Sequence, residues 1–277
     1  MKIKTKLNLV FGGTGLVGQS LRKKIKNKKK FIFLNKQNEN SFNYNLNKSF
    51  VKFPYKEVNL CFFFASPRII KRNLKYDIFN QEFKWLKKVI ENIKINKLIY
   101  LSSSSVYYQN NHVVGSNKIK CEKLILQNKK KFNNFQIWRP FNLLGSKYYP
   151  SDHFYNILYK RMFIEKKVSC NFDGNFHDKR GYSSVDNFVN VMLRYSQYKK
   201  EFIKDYGNQN LIKSGDIINL FNKEYLKKNN RLFKFKFLSN KRNVNKIKEN
   251  KNNIYSREDT IKIFERYLKN SLNAKKL

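Results

Sequence analysis

The stretch Leu7-Asn8-Leu9-Val10-Phe11-Gly12-Gly13-Thr14-Gly15-Leu16-Val17-Gly18 combines a short apolar run with a cluster of glycines. A helical pattern begins directly after the glycines, which predicts a strand, a tight turn and a helix in succession. Gly13-x-Gly15-x-x-Gly18 is the spacing of the dinucleotide fingerprint, and Gly12-x-x-Gly15-x-x-Gly18 overlaps it. The stretch therefore predicts a dinucleotide site, with an ordinary glycine turn as the alternative.

Each glycine of this motif has a predicted role. One permits the tight turn, another lets the backbone approach a pyrophosphate, and Gly18 lets the helix pack closely on the strand. The free N–H groups at the start of the helix, at Leu16 and Val17, would then hold the anion.

The residues after the next strand bear on which dinucleotide binds. Phe31-Ile32-Phe33-Leu34 predicts a second strand, which closes a βαβ unit. An acidic residue about 20 positions beyond the glycines normally accepts a hydrogen bond from the ribose 2′-OH. Asn35 and Lys36 stand there instead. Asn35 can accept through its amide oxygen and Lys36 can meet a 2′-phosphate, so the pair favours NADP over NAD, unless Lys36 is one more surface lysine.

Later apolar runs predict more strands of a buried parallel sheet. Residues 58–65 are apolar apart from Asn59, which is typical of a strand covered on both faces. Residues 97–101 run into four serines, and residues 135–138 form another apolar run. Serines at the carboxyl end of a buried parallel strand lie at the edge where ligands bind. The sequence thus predicts an α/β fold, a Rossmann-type doubly wound parallel sheet.

Composition sets the broad class. The 277 residues suffice for one large domain with an appended lobe. The net charge is +40, from 59 Lys and Arg against 19 Asp and Glu, which is typical of nucleic-acid or anionic-membrane binding. The lysines are spread along the chain, and Lys, Asn, Ile and Phe are the residues of A/T-rich codons. We therefore interpret the charge as compositional and do not expect nucleic acid as a partner.

The remaining composition points to an ordinary intracellular protein. The three cysteines are far apart and the three histidines are not clustered, so neither a disulfide framework nor a metal site is predicted. No stretch approaches the ~18 apolar residues of a membrane span. A signal-peptide pattern is also missing. We expect a cytoplasmic protein with no membrane partner.

Several short motifs occur in one order along the chain: Gly12-x-x-Gly15-x-x-Gly18, Ser103-x-x-Val106-Tyr107, Lys118-x-x-x-Glu122 and Arg139-Pro140-Phe141-Asn142-Leu143-Leu144-Gly145. Together they resemble the extended short-chain dehydrogenase/reductase family, specifically its NAD-dependent epimerase/dehydratase branch, which acts on nucleotide sugars. The resemblance spans roughly residues 5–190 and fades afterwards.

The resemblance implies residues that hold the cofactor. Gly12, Gly15 and Gly18 would line the pyrophosphate. Asn45 falls where family members often carry an Asp that touches the adenine, and Ala65 would pack against the cofactor at the end of its strand.

The resemblance also implies roles at the reacting end. Ser103 would polarise the sugar carbonyl or alcohol, and Asn142 would contact the substrate. Lys118 would bond the nicotinamide ribose and lower the pKa of a tyrosine that serves as general acid/base. Lys118 and Glu122 are spaced i, i+4, so an ordinary surface pair is the alternative interpretation.

The chain departs from the family at the tyrosine. The family pattern is Tyr-x-x-x-Lys, and the residue four before Lys118 is Val114, which cannot move a proton. Three hypotheses follow. Tyr107 or Tyr108 reaches the Lys118 site, His112 supplies the acid/base, or the protein binds cofactor without turnover.

The predicted domains are a dinucleotide-binding core at residues 1–150, to which part of 175–210 returns, and a mainly substrate-binding lobe at 151–277.

Arg180 is a candidate clamp for a diphosphate, with a surface arginine as the alternative. Asp186 is the predicted cap of the helix that follows it. Ser256 to Asp259 predicts a capping box that opens the last helix.

The leading functional hypothesis is an NAD(P)-dependent epimerase, dehydratase or reductase of nucleotide sugars, with a role in surface-polysaccharide supply by family analogy. The alternatives are a catalytically lapsed cofactor-binding protein of the same fold and a basic nucleic-acid-binding protein. The family resemblance further implies a homodimer.

Overall fold

The computed structural model describes residues 7–34, 46–47, 53–67, 77–107, 113–147, 149, 153–172, 175–238, 244–245 and 253–274. Asn35, Lys36 and Asn45, three of the predicted cofactor residues, lie outside the described residues, as do Tyr108 and His112.

Two compact units divide the chain. The first comprises Met1–Pro140 with Val189–Asp205, and the second comprises Phe141–Phe188 with Tyr206–Leu277. That the lobe at 151–277 binds the substrate stays a prediction.

A seven-stranded sheet forms the centre of the fold. Its strands are β1 (Asn8–Phe11), β2 (Phe31–Leu34), β3 (Glu57–Phe63), β4 (Lys94–Leu101), β5 (Asn134–Pro140), β10 (Phe202–Asn208) and β14 (Ile254–Ser256). The connecting helices are α1 (Leu16–Lys24), α2 (Asp77–Asn92), α3 (Val113–Gln127) and α5 (Val185–Ser196). The expected α/β Rossmann-type fold is confirmed.

The strand order locates the ligand-binding edge. The order across the sheet is β14-β10-β5-β4-β3-β1-β2, and the β2–β1, β1–β3, β3–β4 and β4–β5 pairs are parallel. After β1 the chain adds β2 on one side, whereas β3, β4 and β5 follow on the other. The order therefore reverses between β1 and β3, and ligands bind beyond the carboxyl ends of strands at such a switch point.

The first core lies between this sheet and its helices. Val58, Cys61, Phe62 and Phe63 of β3 are fully buried, as expected for a parallel strand covered on both faces. Helices α2 and α3 add a matching apolar stripe at helical spacing: Leu86, Val89, Ile90, Cys121, Leu124 and Ile125. Burial of these side chains holds the carboxyl edge of the sheet in place.

The second unit has its own aromatic core. Its remaining β-strands and α-helices are β6 (Leu143–Leu144), α4 (Phe154–Tyr159), β7 (Ser169–Phe172), β8 (Lys179–Gly181), β9 (Ser183–Ser184), β11 (Leu211–Lys213), α6 (Ser214–Asn229), β12 (Lys234–Phe237), β13 (Val244–Asn245) and α7 (Thr260–Asn273), and a π-helix at Lys160–Ile164 follows α4 directly. Tyr155, Tyr159, Phe221, Phe264 and Tyr267 are nearly inaccessible to solvent and belong to one cluster. Edge-to-face contacts such as Tyr155–Tyr267, with ring centroids 5.4 Å apart, fix their geometry.

Two predicted helix caps are wrong. Asp186 lies inside the first turn of α5, and the Ser184 hydroxyl caps this helix by accepting the Asn187 N–H at 3.1 Å. At α7 the cap is Asp259 itself, which accepts from two backbone N–H groups, rather than Ser256. Both misplacements arise because several capping residues stand side by side and the sequence does not fix where the helix starts.

Among the described residues, every helix is too short or too polar to cross a membrane.

Candidate functional site

In the glycine loop, the backbone that follows β1 packs directly against the backbone that follows β3. Gly12 has φ +84, which favours glycine, and a Cβ there would lie 2.6 Å from the carbonyl carbon of Phe64. The Phe64 N–H donates to the Phe11 carbonyl at 2.9 Å. Gly12 therefore permits both the tight turn and the close approach of the neighbouring strand.

Gly18 and Gly15 have different surroundings. A Cβ on Gly18 would lie 2.3 Å from the Gly12 carbonyl oxygen and 2.6 Å from the Gly13 Cα, so only glycine lets α1 start so close to the turn. Gly15 donates its N–H to Gly12 at 3.1 Å, and a Cβ there would meet nothing nearer than 3.4 Å. Gly15 is thus the position of the loop where an approaching ligand finds room.

The start of α1 offers donors and no competing anion. Gly15 is its N-cap without a side-chain cap, and the first turn of this fully described helix carries no acidic residue. The first N–H groups, including those of Leu16 and Val17, have no intrahelical acceptor, and the helix dipole is positive here. A pyrophosphate fits beside these donors on the side of the loop at Gly15, where an added Cβ would meet nothing nearer than 3.4 Å.

The ends of β3 and β4 supply the rest of the edge. Ala65, two residues beyond the end of β3, is buried and adjoins the glycine loop. After β4, Ser103 opens a 3-10 turn spanning Ser104–Tyr107, accepting the Ser105 N–H on its hydroxyl oxygen at 3.1 Å. Ser103 is half-buried, and its O–H can still donate to a substrate oxygen.

Lys118 is held by a buried carboxylate. Its Nζ lies 2.6 Å from Glu82 Oε1 and 2.8 Å from the Leu101 carbonyl oxygen, and the side chains of Lys118 and Glu82 are 8% and 2% exposed. Glu82 also accepts the Tyr100 hydroxyl at 2.8 Å and the Ser66 hydroxyl at 2.8 Å. Lys118 is therefore fixed at the carboxyl end of β4.

Glu122, one turn beyond Lys118, has another cation as its partner. It binds Arg139 in bidentate fashion, with Nε–Oε1 at 2.9 Å and a second nitrogen at 2.5 Å from Oε2, and it accepts the Ser102 hydroxyl at 2.5 Å. Lys118 and Glu122 are both buried. The alternative interpretation of the two as a surface pair is therefore wrong, because each is committed to a different partner inside the fold.

Tyr107 is committed as well. Its hydroxyl donates to Asp205 at 2.8 Å and accepts from Arg139 at 3.0 Å. Burial, and next the hydrogen bond to Asp205, raise the pKa of Tyr107 above its ordinary value. A phenol with a raised pKa is a weaker base catalyst near neutral pH, so this geometry favours a structural Tyr107.

Val114 stands one helical turn before Lys118. Helix α3 begins at Val113, so positions 114 and 118 share one face, and Val114 is half-buried there. Gly115 lets the start of α3 pack against the serine turn, since a Cβ would lie 2.2 Å from the Ser105 carbonyl oxygen. No proton-transferring group stands at position 114 of this face.

The predicted substrate residues Asn142 and Arg180 belong to the second unit. Asn142 has φ +32 and donates its side-chain amide to the Gly181 carbonyl at 3.1 Å. Arg180 is half-buried in β8, where it pairs with Ile212 of β11. Their contact with a substrate stays a prediction.

Sequence reasoning missed Glu82. It lies four residues before Leu86 on the apolar face of α2, and a carboxylate on such a face signals a buried partner. Asp205 had no comparable signal, since its partner Tyr107 is distant in sequence.

No protein-family model and no curated protein matches this sequence. Solved structures do match. The structure of MoeE5 in complex with UDP-glucose and NAD aligns with a TM-score of 0.72 and 12% identity over 95% of this chain and 97% of that chain. UDP-glucuronic acid 4-epimerase from Bacillus cereus in complex with NAD gives 0.66 and 18%, over 86% of each chain.

A further match is TunA, an NAD-dependent NDP-hexosamine 5,6-dehydratase involved in tunicamycin biosynthesis, with a TM-score of 0.65 and 13% identity over 84% of each chain. The similarity covers most of both chains in each case. The chain therefore has the fold of these NAD-dependent nucleotide-sugar epimerases and dehydratases.

Proposed function

We propose that this chain binds NAD or NADP and acts on a nucleotide sugar by hydride exchange at a sugar carbon. The observation that carries the proposal is the glycine loop, which opens a cradle and a free helix start at the switch point of the sheet.

Different residues of the chain would contact different parts of the cofactor. The N–H groups of Leu16 and Val17, with the open backbone at Gly15, hold the pyrophosphate, and Ala65 packs against the cofactor. Lys118 donates to a hydroxyl of the nicotinamide ribose. The dinucleotide, when bound, supplies the hydride acceptor and donor.

Three polar side chains are proposed to contact the substrate. Ser103 donates its hydroxyl to the reacting sugar oxygen, while Asn142 contacts the substrate and Arg180 clamps its diphosphate. Oxidation of a carbinol also releases a proton, and Tyr107, Tyr108 and His112 are the chain's candidates to accept it.

A second candidate function, cofactor binding without turnover, is favoured by a specific observation. Val114 occupies the face of α3 that Lys118 shares, and the Tyr107 hydroxyl is engaged by Asp205 and Arg139.

Hydride exchange is tested by mixing the protein with NAD and a panel of UDP-sugars while following nicotinamide absorbance. Transient reduction by the wild type supports the enzyme, and its loss in Tyr107→Phe, Tyr108→Phe or His112→Ala identifies the base. If only Val114→Tyr reduces NAD, and the matched control Val114→Phe does not, the result instead supports a cofactor-binding protein that has lost its activity. Bound cofactor with no reduction by any variant contradicts hydride exchange.

Cofactor choice and assembly complete the proposal. If Lys36 recognises a 2′-phosphate, Lys36→Ala weakens NADPH binding and leaves NADH binding unchanged. Equal losses of NADPH and NADH affinity contradict the NADP preference.

We further propose that the protein is a homodimer in the cytoplasm. Analytical ultracentrifugation tests the homodimer through its mass in solution.

A further inference from the structure

Glu82 and Lys118 form an ion pair that is almost wholly inside the protein. Their exposed side-chain fractions are 2% and 8%, and the Oε1–Nζ distance is 2.6 Å. Glu82 takes three further donors, from Tyr100, Ser66 and Asn117, at 2.8, 2.8 and 3.4 Å. Together with Lys118, these donors hold the Glu82 carboxylate in one position.

The pair lies at the carboxyl edge of the sheet. Lys118 also donates to the carbonyl of Leu101, the last residue of β4, and its Nζ lies 5.1 Å from the Tyr100 ring centroid. Ser66 follows Ala65, three residues beyond the end of β3. Glu82 therefore connects the ends of β3 and β4 at the carboxyl edge of the sheet.

An ammonium group has three N–H donors, and two of those of Lys118 are used by Glu82 and Leu101. A third is left for a ligand hydroxyl. Glu82 thereby fixes the direction in which Lys118 can donate, and it also cancels the charge that Lys118 brings to the edge.

We propose that Glu82 is a positioning residue for Lys118 that neutralises it beside the dinucleotide, so that the protein does not disfavour the oxidised cofactor. This inference rests on the proposed cofactor site. The oxidised nicotinamide ring carries a positive charge and the reduced ring carries none. An unbalanced ammonium beside the ring would repel only the oxidised form, and such repulsion is strong away from bulk water.

The test is the ratio of the dissociation constants of NAD⁺ and NADH, measured by calorimetry on four proteins. Glu82→Gln keeps the shape and removes the negative charge, so the ratio should rise roughly threefold to tenfold. Glu82→Asp keeps the charge and should leave the ratio unchanged. The double variant Glu82→Gln/Lys118→Met removes both charges and should return the ratio to the wild-type value. An unchanged ratio in Glu82→Gln, or equal shifts in Glu82→Gln and Glu82→Asp, overturns the proposal.

Thermal melting without nucleotide tests the pairing separately. Lys118→Met leaves a buried carboxylate unpaired, so it should melt below the double variant even though the double carries one more substitution. Lys87→Met, in the exposed pair Lys87–Glu91, is the control and should melt close to the wild type. A double variant that melts below Lys118→Met contradicts the pairing. Wild-type protein that binds neither nucleotide refutes the cofactor site itself, whatever the melting order.

Discussion

Gly18→Ala adds one methyl group where α1 starts against the preceding turn. The new Cβ would lie 2.3 Å from the Gly12 carbonyl oxygen and 2.6 Å from the Gly13 Cα, whereas ordinary contact begins at 3.4 Å. Both contacts are backbone atoms, so the helix or the loop must move. Overpacking of this kind costs about 1–3 kcal/mol, and the entropy that alanine removes from the unfolded chain returns about 0.4–1 kcal/mol.

The free energy of unfolding should therefore fall by about 1.3 kcal/mol, which for a chain of this size lowers the Tm by roughly 3–5 °C. Thermal melting followed by circular dichroism measures the Tm. NADH titration measures the affinity for the cofactor, which should fall because the loop is displaced.

Gly15→Ala is the matched control, because the same methyl group at φ −72 meets nothing nearer than 3.4 Å. Its Tm should stay close to the wild type, while NADH binding weakens because the methyl group occupies the open side of the loop. Gly18→Ala protein that melts with the wild type and binds NADH normally would refute the assignment of Gly18 to helix packing.

Other substitutions test the buried networks. Glu122→Gln leaves Arg139 without its carboxylate and should lower the free energy of unfolding by about 3 kcal/mol in urea titration; a loss under 1 kcal/mol contradicts a buried pair. The pKa of Tyr107 is raised in the folded state, so the stabilisation from its hydrogen bond to Asp205 should be complete below pH ~10 and be lost as the pH rises above that value. Tyr107→Phe tests this through the difference in the free energy of unfolding between the wild type and the variant. A difference that stays constant from pH 8 to 11 excludes this titration. Asp259→Ala removes the cap of α7 and should cost about 1 kcal/mol, and an unchanged urea midpoint would place the cap elsewhere.

The sequence predicts the sheet and the glycine loop well because both depend on local patterns. The run from Leu60 to Ala65 is apolar throughout and has no polar face to expose, so it must lie inside a covered sheet. The three glycine positions are also spaced by fixed geometry, and Gly12 and Gly18 have the crowded backbone surroundings that glycine alone tolerates.

The polar interior could not be predicted, because its pairs join residues far apart in sequence. The spacing of Lys118 and Glu122 matches a surface pair equally well. Their actual partners, Glu82 and Arg139, are brought together only by the packing of α2, α3 and β5. The positions of Ser103 and Asn142 relative to a substrate depend likewise on long-range packing, and their roles remain predictions.

The central claim is that the loop from Gly12 to Gly18 binds a dinucleotide, and titration of the wild-type protein with NADH tests it most directly. The titration follows nicotinamide fluorescence at near-physiological salt, where contacts due only to the +40 charge are screened. The account predicts saturable binding of one NADH per chain that weakens in Gly15→Ala, although that variant stays folded. Folded wild-type protein that binds neither NADH nor NADPH would contradict it and would leave the glycine loop as scaffold alone.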